Sequence, residues 1–170
     1  NGKKLATYID RMVPSSSSTF FTQDITQPQS PEVVLLVAPP ACGKSTISAK
    51  YANSGYAVVN QDTLKTVDNC LTHAEQALIG ERKSVIVDNT NTDRNVRRKW
   101  IQLAKKHSIP IRCLILDTNK DLSFLLSSFR MCSPHTPLRD RRKVPTVTIH
   151  TMFKNILENP PMVSEGFCSV

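Results

Sequence analysis

"VVLLVAPPACGKSTISAKY", residues 33–51, is a run of branched apolar residues, a turn, and the opening of a helix. A phosphate-binding loop in this setting has the pattern G-x-x-x-x-G-K-[ST]. Here the same eight positions are Ala38, Pro39, Pro40, Ala41, Cys42, Gly43, Lys44 and Ser45, with Ala38 in place of the first glycine. The tight half of the loop is intact. Backbone N–H groups of Ala41, Cys42, Gly43, Lys44, Ser45 and Thr46 can converge on an anion at a helix N-terminus, where the helix dipole adds its positive end. Lys44 then reaches the β- and γ-phosphates of ATP, and the Ser45 hydroxyl ligates Mg²⁺. The two prolines lie in the rising limb, where few donors are needed, and Ala38 is tolerated so long as its φ is negative. The loop is read as a working one.

Outward from the loop, short apolar runs recur at 56–60, 84–88 and 111–116, each of strand length and continuous enough to be buried on both faces. Segments of helical period separate them: 44–54, 62–79, 93–107 with Asp93 as N-cap, 119–130 with Leu122, Leu125, Leu126 and Phe129, and 145–158. Strands alternating with helices predict an α/β fold, a parallel sheet with helices on both faces. Residues 1–32, rich in Ser, Thr, Gln and Pro, are expected to be a linker or arm from a preceding domain, and 33–170 the folded domain. The first residue is Asn1 rather than Met, which predicts a fragment or a processed chain.

The bulk properties narrow the partners. A net charge of +8 over 170 residues favours an anionic partner, nucleic acid or polyphosphate, over a bulk membrane. Val33 to Cys42, the longest uncharged apolar stretch, is far short of the roughly 20 residues that a spanning helix needs. Five cysteines without a Cys-x-x-Cys pair point to free thiols, and four scattered histidines have no ligand spacing.

Two carboxylates fall just past strand ends, on the rim where open α/β sheets bind ligands. Asp62, in "VVNQDTLKT" (58–66), is placed to accept the proton of an attacking hydroxyl, or else caps the helix that begins near Thr63. Lys65, one helical turn on, could face the same rim and meet a substrate phosphate. Asp88, in "VIVDNTNTD" (85–93), sits where a Mg²⁺-positioning carboxylate belongs, with Asn89, Thr90 and Asn91 as a polar rim or a simple turn.

Seven Lys or Arg residues and no acid occupy 94–112, on a helix whose apolar side is Val96, Trp100 and Leu103. Arg94, Arg97, Arg98, Lys105 and Lys106 are expected to point mostly outward, and Trp100 to be core. The Pro-interrupted stretch "FRMCSPHTPLRDRRKVP" (129–145) joins two helices and carries Arg130, Arg139, Arg141, Arg142 and Lys143. A mobile lid in this position would bring arginines to a transferring phosphoryl group. Arg130 is the first candidate, because a helix end aims a side chain better than a loop tip does.

With these pieces in order, the chain from about Ser30 to Phe167 resembles the kinase domain of the eukaryotic polynucleotide kinase-phosphatase family, P-loop kinases that repair DNA ends. The resemblance rests on "SPEVVLLVAPPACGKST", "GYAVVNQDTL", "VIVDNTNTD", "FRMCSPHTPL" and the terminal "EGF". It implies that Asp62 is the general base, that Lys44 and Ser45 bind ATP and Mg²⁺, and that Arg130 is the lid arginine. It also implies phosphoryl transfer to 5′-hydroxyl ends of DNA, with Lys65, Thr90, Asn91 and Arg139 near the nucleic acid, nuclear residence, and a phosphatase domain ahead of this one. Three departures accompany it. Ala38 and Ala41 replace glycines of the family loop, and Gln61 stands where the family has arginine beside the base. The family's phosphatase signature Asp-x-Asp does not occur in this chain. Two rival readings remain: a small-metabolite kinase of similar fold, and an end-binding module without catalysis.

Overall fold

The computed structural model describes Ile25 and residues 28–132 and 144–170. Most of the expected arm lies outside the described residues, as do Arg139 and the rest of the basic stretch in the expected lid.

Four parallel strands, β1 (Val33–Val37), β2 (Ala57–Val59), β3 (Val85–Val87) and β4 (Ile111–Ile115), form one sheet in the order β2-β3-β1-β4. β1 is central, with Val33 opposite both Val85 and Ile111, and all five of its residues are fully buried. Full burial of a Val or Leu side chain is worth about 1.5–3 kcal/mol, so this strand anchors the domain. Its alternate residues serve two cores. Val33, Leu35 and Val37 pack with Cys70, Ala74, Leu78, Trp100 and Leu103 on one face. Val34 and Leu36 pack with Ile86, Tyr51 and Tyr56 on the other. Helices on both faces follow directly.

The helices are α1 (Lys44–Asn53), α2 (Gln61–Leu64), α3 (Val67–Glu75), continued by a π-helical turn over Gln76–Gly80, α4 (Arg94–Lys106), α5 (Lys120–Cys132) and α6 (Thr146–Glu158). The segment expected as one helix over 62–79 is broken. Lys65 adopts φ 73, and the Thr66 side chain caps α3 by accepting from the Asn69 N–H. Asp93 caps α4 as expected, accepting from the Asn95 N–H at 2.7 Å.

One side-chain expectation is corrected. Arg97, expected outward, is fully buried, because it lies on the core side of α4 one turn before Trp100 and has found a complete set of acceptors. On α5 the buried residues are Ser123 and Ser127, whereas Leu126 and Phe129 are 36% and 48% exposed. The reason is what α5 packs against: the Ser123 hydroxyl donates to the Pro40 carbonyl at 2.8 Å, so its small polar face, rather than its apolar one, meets the loop after β1.

The chain end closes the β4 edge. Cys168 N–H donates to Ile111 O and Cys113 N–H to Ser169 O, a parallel bridge that covers part of an otherwise open strand edge. At the N-terminal end of the sheet, Glu32 accepts a forked pair of bonds from Arg112 and a third from the Tyr56 hydroxyl at 2.6 Å. Tyr51 completes this cluster edge-on to Tyr56, far from the strand ends that carry the candidate site.

Candidate functional site

The loop between β1 and α1 takes the shape its sequence demands, with the strain in an unexpected place. Ala38 is buried and is not among the residues with positive φ, so the missing first glycine costs nothing in backbone conformation. Ala41, by contrast, has φ 60, a left-handed conformation that costs an L-residue about 1–2 kcal/mol. Gly43, at φ 83, is the N-cap of α1. A Cβ built on it would meet no heavy atom within 4 Å among the described residues, so backbone conformation, not packing against protein, requires glycine there. That leaves the peptide open to close approach by a phosphate.

Lys44 folds back over this turn, donating to Pro39 O at 2.6 Å and to Ala38 O at 3.3 Å. Burial holds its ammonium below the ordinary lysine range, and Arg130 pushes the same way, while Cys42, Asp88 and Asp62 oppose. One ammonium therefore feels three of the other charged candidates at once. Asp88 and Asp62 arrive from the ends of β3 and β2, and Arg130 from α5, on the helix face defined by Ser123 and Ser127.

The order β2-β3-β1 places these groups side by side on one rim. Asp88 is buried, its N–H continuing the ladder to Val59 O and its Oδ2 accepting from the Ser48 hydroxyl at 2.9 Å. Asn60 spans the two strand ends: its Nδ2 donates to Asp88 O, and its Oδ1 accepts from the Asp62 N–H at 2.7 Å. Asn60, rather than Asp62, thus caps α2. The alternative reading of Asp62 as the helix cap falls away, and its carboxylate is exposed on the rim. Asn89 Oδ1 accepts from the Gln61 N–H at 2.8 Å and ties the same two ends. Lys65 is exposed and donates to Asp62 O at 2.8 Å.

The turn after Asp88 is bound to the phosphate loop. Thr90 O accepts from the Ala38 N–H at 3.1 Å, and the buried Asn91 amide donates to Leu36 O at 2.8 Å. Asn91 thus lies beneath the rim rather than on it, in a left-handed conformation (φ 46) that asparagine tolerates. Thr90 remains half-buried at the rim. Sequence reading missed Asn60, Ser48 and Arg97. Asn60 carries a visible signal, an Asn two residues before Asp62 at a strand end; the other two depend on distant partners.

The residues present fit a hydrated Mg²⁺. The Ser45 hydroxyl and the Asp88 carboxylate are hard oxygen donors held on adjacent elements by Ser48, whose hydroxyl also lies 3.2 Å from Ser45 O. Mg²⁺ takes one or two such protein ligands and completes its octahedron with phosphate oxygens and water.

Comparison with known proteins follows the same lines. Residues 33–124 match the family model described as AAA domain. A Schizosaccharomyces pombe protein named bifunctional polynucleotide phosphatase/kinase is 37% identical over 140 residues, which is 82% of this chain and 32% of that relative. The chain therefore spans about a third of the relative's length. A chain of the Pnkp1/Rnl/Hen1 RNA repair complex superposes with a TM-score of 0.62 at 17% identity, over 76% of this chain and 45% of that one. A gluconokinase from Sinorhizobium meliloti 1021 superposes with a TM-score of 0.53 at 16% identity, over 75% of this chain and 76% of its own. At these identities the two structures speak to the fold alone.

Proposed function

The chain belongs to the AAA-domain family, and from that premise we propose that it transfers the γ-phosphate of ATP to the 5′-hydroxyl end of a polynucleotide. The observation that carries the reading is the placement of Asp62 and Asp88 at adjoining strand ends tied by Asn60, with Asp88 bonded by Ser48 to the helix that follows the phosphate loop. The relative named as a bifunctional polynucleotide phosphatase/kinase supplies the substrate class.

In this reading Asp62 accepts the proton of the terminal 5′-hydroxyl. The oxygen attacks the γ-phosphorus in line as the bond to the β-phosphate oxygen breaks, and ADP leaves. Lys44 and Arg130 hold the charge that spreads onto the equatorial oxygens, and the loop N–H groups of Ala41 to Thr46 hold the β-phosphate. Ser45 and Asp88 would hold Mg²⁺, which supplies charge neutralisation between the β- and γ-phosphates. Asn60 keeps Asp62 at the rim by tying the end of β2 to the end of β3 that carries Asp88.

Lys65, Thr90 and Arg139 would contact the phosphodiester backbone without reading bases, with Asn91 holding the loop beneath Thr90. In this reading DNA ends are the favoured substrate, the protein acts in the nucleus in strand-break repair, and a phosphatase domain would accompany it, as in the name of its relative.

The test is transfer of labelled γ-phosphate from ATP to a 5′-hydroxyl oligonucleotide, with the 5′-phosphorylated oligonucleotide and gluconate as alternative acceptors. Labelling of the 5′-hydroxyl strand alone, with affinity falling steeply as salt rises, supports the proposal. Labelling of the small hydroxylated acid, or substrate affinity indifferent to salt, favours a small-metabolite kinase instead.

A further inference from the structure

Arg97 is fully buried, and its guanidinium spends all five N–H donors inside the protein. Nε and Nη2 fork onto Glu165 at 3.0 and 2.8 Å, and Nη2 also reaches Asn159 O at 2.9 Å. Nη1 donates to Thr92 O at 3.0 Å and, more weakly, to Asn91 O at 3.4 Å. Glu165 belongs to the chain end that closes the β4 edge, where Phe167 is core and Gly166 adopts φ 119.

Two of the three carbonyls that Arg97 holds, those of Asn91 and Thr92, lie in the turn that binds the phosphate loop. Asn91 donates from its side chain to Leu36 O, and Thr90 O receives the Ala38 N–H. A continuous hydrogen-bonded chain therefore runs from Glu165 through Arg97 and the turn at 90–92 to both sides of the point where β1 becomes the loop. We infer that the Glu165–Arg97 pair positions the phosphate loop, so that the C-terminal segment sets nucleotide affinity without touching nucleotide.

The argument is geometric. A buried ion pair serving stability alone needs only each other and any spare carbonyl. This one aims both Nη1 donors at two consecutive carbonyls of the turn that also carries Asp88 at its start. The loop has a particular need of such support: Ala41 holds a left-handed backbone that an L-residue does not favour, so its shape is not what free backbone would choose. The Glu32–Arg112 pair provides a contrast, since it is also forked and partly buried but lies at the opposite ends of the strands.

The inference rests on the loop being a nucleotide site, and the experiment separates the two ideas. N-methylanthraniloyl-ATP with magnesium chloride is titrated into the wild-type chain, Glu165→Gln, Arg97→Lys and Glu32→Gln, below all their melting temperatures. Amide exchange of the peptides spanning 36–46 and 88–93 is followed in parallel. The expected result is a Kd raised at least tenfold in Glu165→Gln and Arg97→Lys, faster exchange in both peptides, and a Kd within twofold of wild type in Glu32→Gln. Should Glu165→Gln not fold, Arg97→Lys carries the same test, because it keeps the charge but cannot hold both Asn91 and Thr92 carbonyls and the carboxylate together. A folded variant with wild-type Kd and wild-type exchange, or a Glu32→Gln defect of equal size, overturns the positioning role. Absence of binding by the wild type overturns the reading of the loop itself, and the positioning of a nucleotide site falls with it.

Discussion

The Ser48 hydroxyl lies 2.9 Å from Asp88 Oδ2, joining the first turns of α1 to the end of β3 beneath the phosphate loop. Both residues are buried, so the bond lies in a low-dielectric setting where losing it is costly. Removing the hydroxyl in Ser48→Ala strips this donor from a buried carboxylate, which costs about 1–3 kcal/mol. The urea midpoint should fall accordingly. The magnesium concentration for half-maximal phosphoryl transfer should rise, because Asp88 loses the contact that orients it.

Ala41 offers the opposite experiment. At φ 60 the methyl group is a strain that glycine does not feel. Ala41→Gly should stabilise the fold by up to about 1 kcal/mol, the gain being reduced by glycine's freer unfolded chain. The thermal midpoint should rise by a few degrees, and nucleotide should bind at least as tightly as in the parent. Destabilisation would mean that the methyl group makes contacts worth more than the strain.

Gly166 is constrained twice over. It adopts φ 119, and a Cβ there would come within 2.9 Å of Ile101 Cγ2. Gly166→Ala should cost roughly 1–3 kcal/mol, from a left-handed backbone plus displacement of an α4 side chain. Calorimetry should find a midpoint lowered by several degrees, since each kcal/mol is worth about 2–4 °C in a domain of this size.

The cluster at the other end of the sheet predicts a pH dependence. Burial and the bond to Glu32 push the Tyr56 phenol up to about 12 from its ordinary value of 10. The folded state therefore holds this proton more tightly than the unfolded chain does. Its contribution to stability is complete below pH 10 and is lost as the pH rises from about 10 to 12. Between pH 9 and pH 12 the urea midpoint of the wild type should fall further than that of Tyr56→Phe. Equal falls would contradict the assignment.

Much of this was legible from the residues because it is local. The four strands announce themselves as branched apolar runs, and the loop and Asp93 cap by their spacing. What could not be read is what depends on distant partners. Arg97 looks like one more charge on a basic helix, and its partner Glu165 is 68 residues away. The leucines of 119–130 look like a buried stripe, yet α5 turns Ser123 to the Pro40 carbonyl, a contact between elements 83 residues apart. The break at Lys65 was half-visible, since Thr66 directly before the apolar Val67 is an N-cap signal. Helical periodicity on both sides concealed it. The loop's departure from the glycine pattern was plain, but which alanine bears the strain depends on backbone angles: Ala41 and not Ala38.

The central claim is that Asp62 takes the proton from a polynucleotide 5′-hydroxyl during phosphoryl transfer. The most direct measurement is transfer of labelled γ-phosphate from ATP to a short 5′-hydroxyl oligonucleotide by the wild-type chain and by Asp62→Asn. Both proteins should be checked for fold and for nucleotide binding. Because Asp62 is exposed and Asn60, not Asp62, caps α2, the substitution should leave fold and nucleotide affinity intact. The account predicts labelling by the wild type and a loss of about 10²–10⁴-fold in kcat in the variant, the usual contribution of a positioned base. A wild type that binds ATP and oligonucleotide but labels nothing, or a variant that labels as fast as its parent, would contradict it.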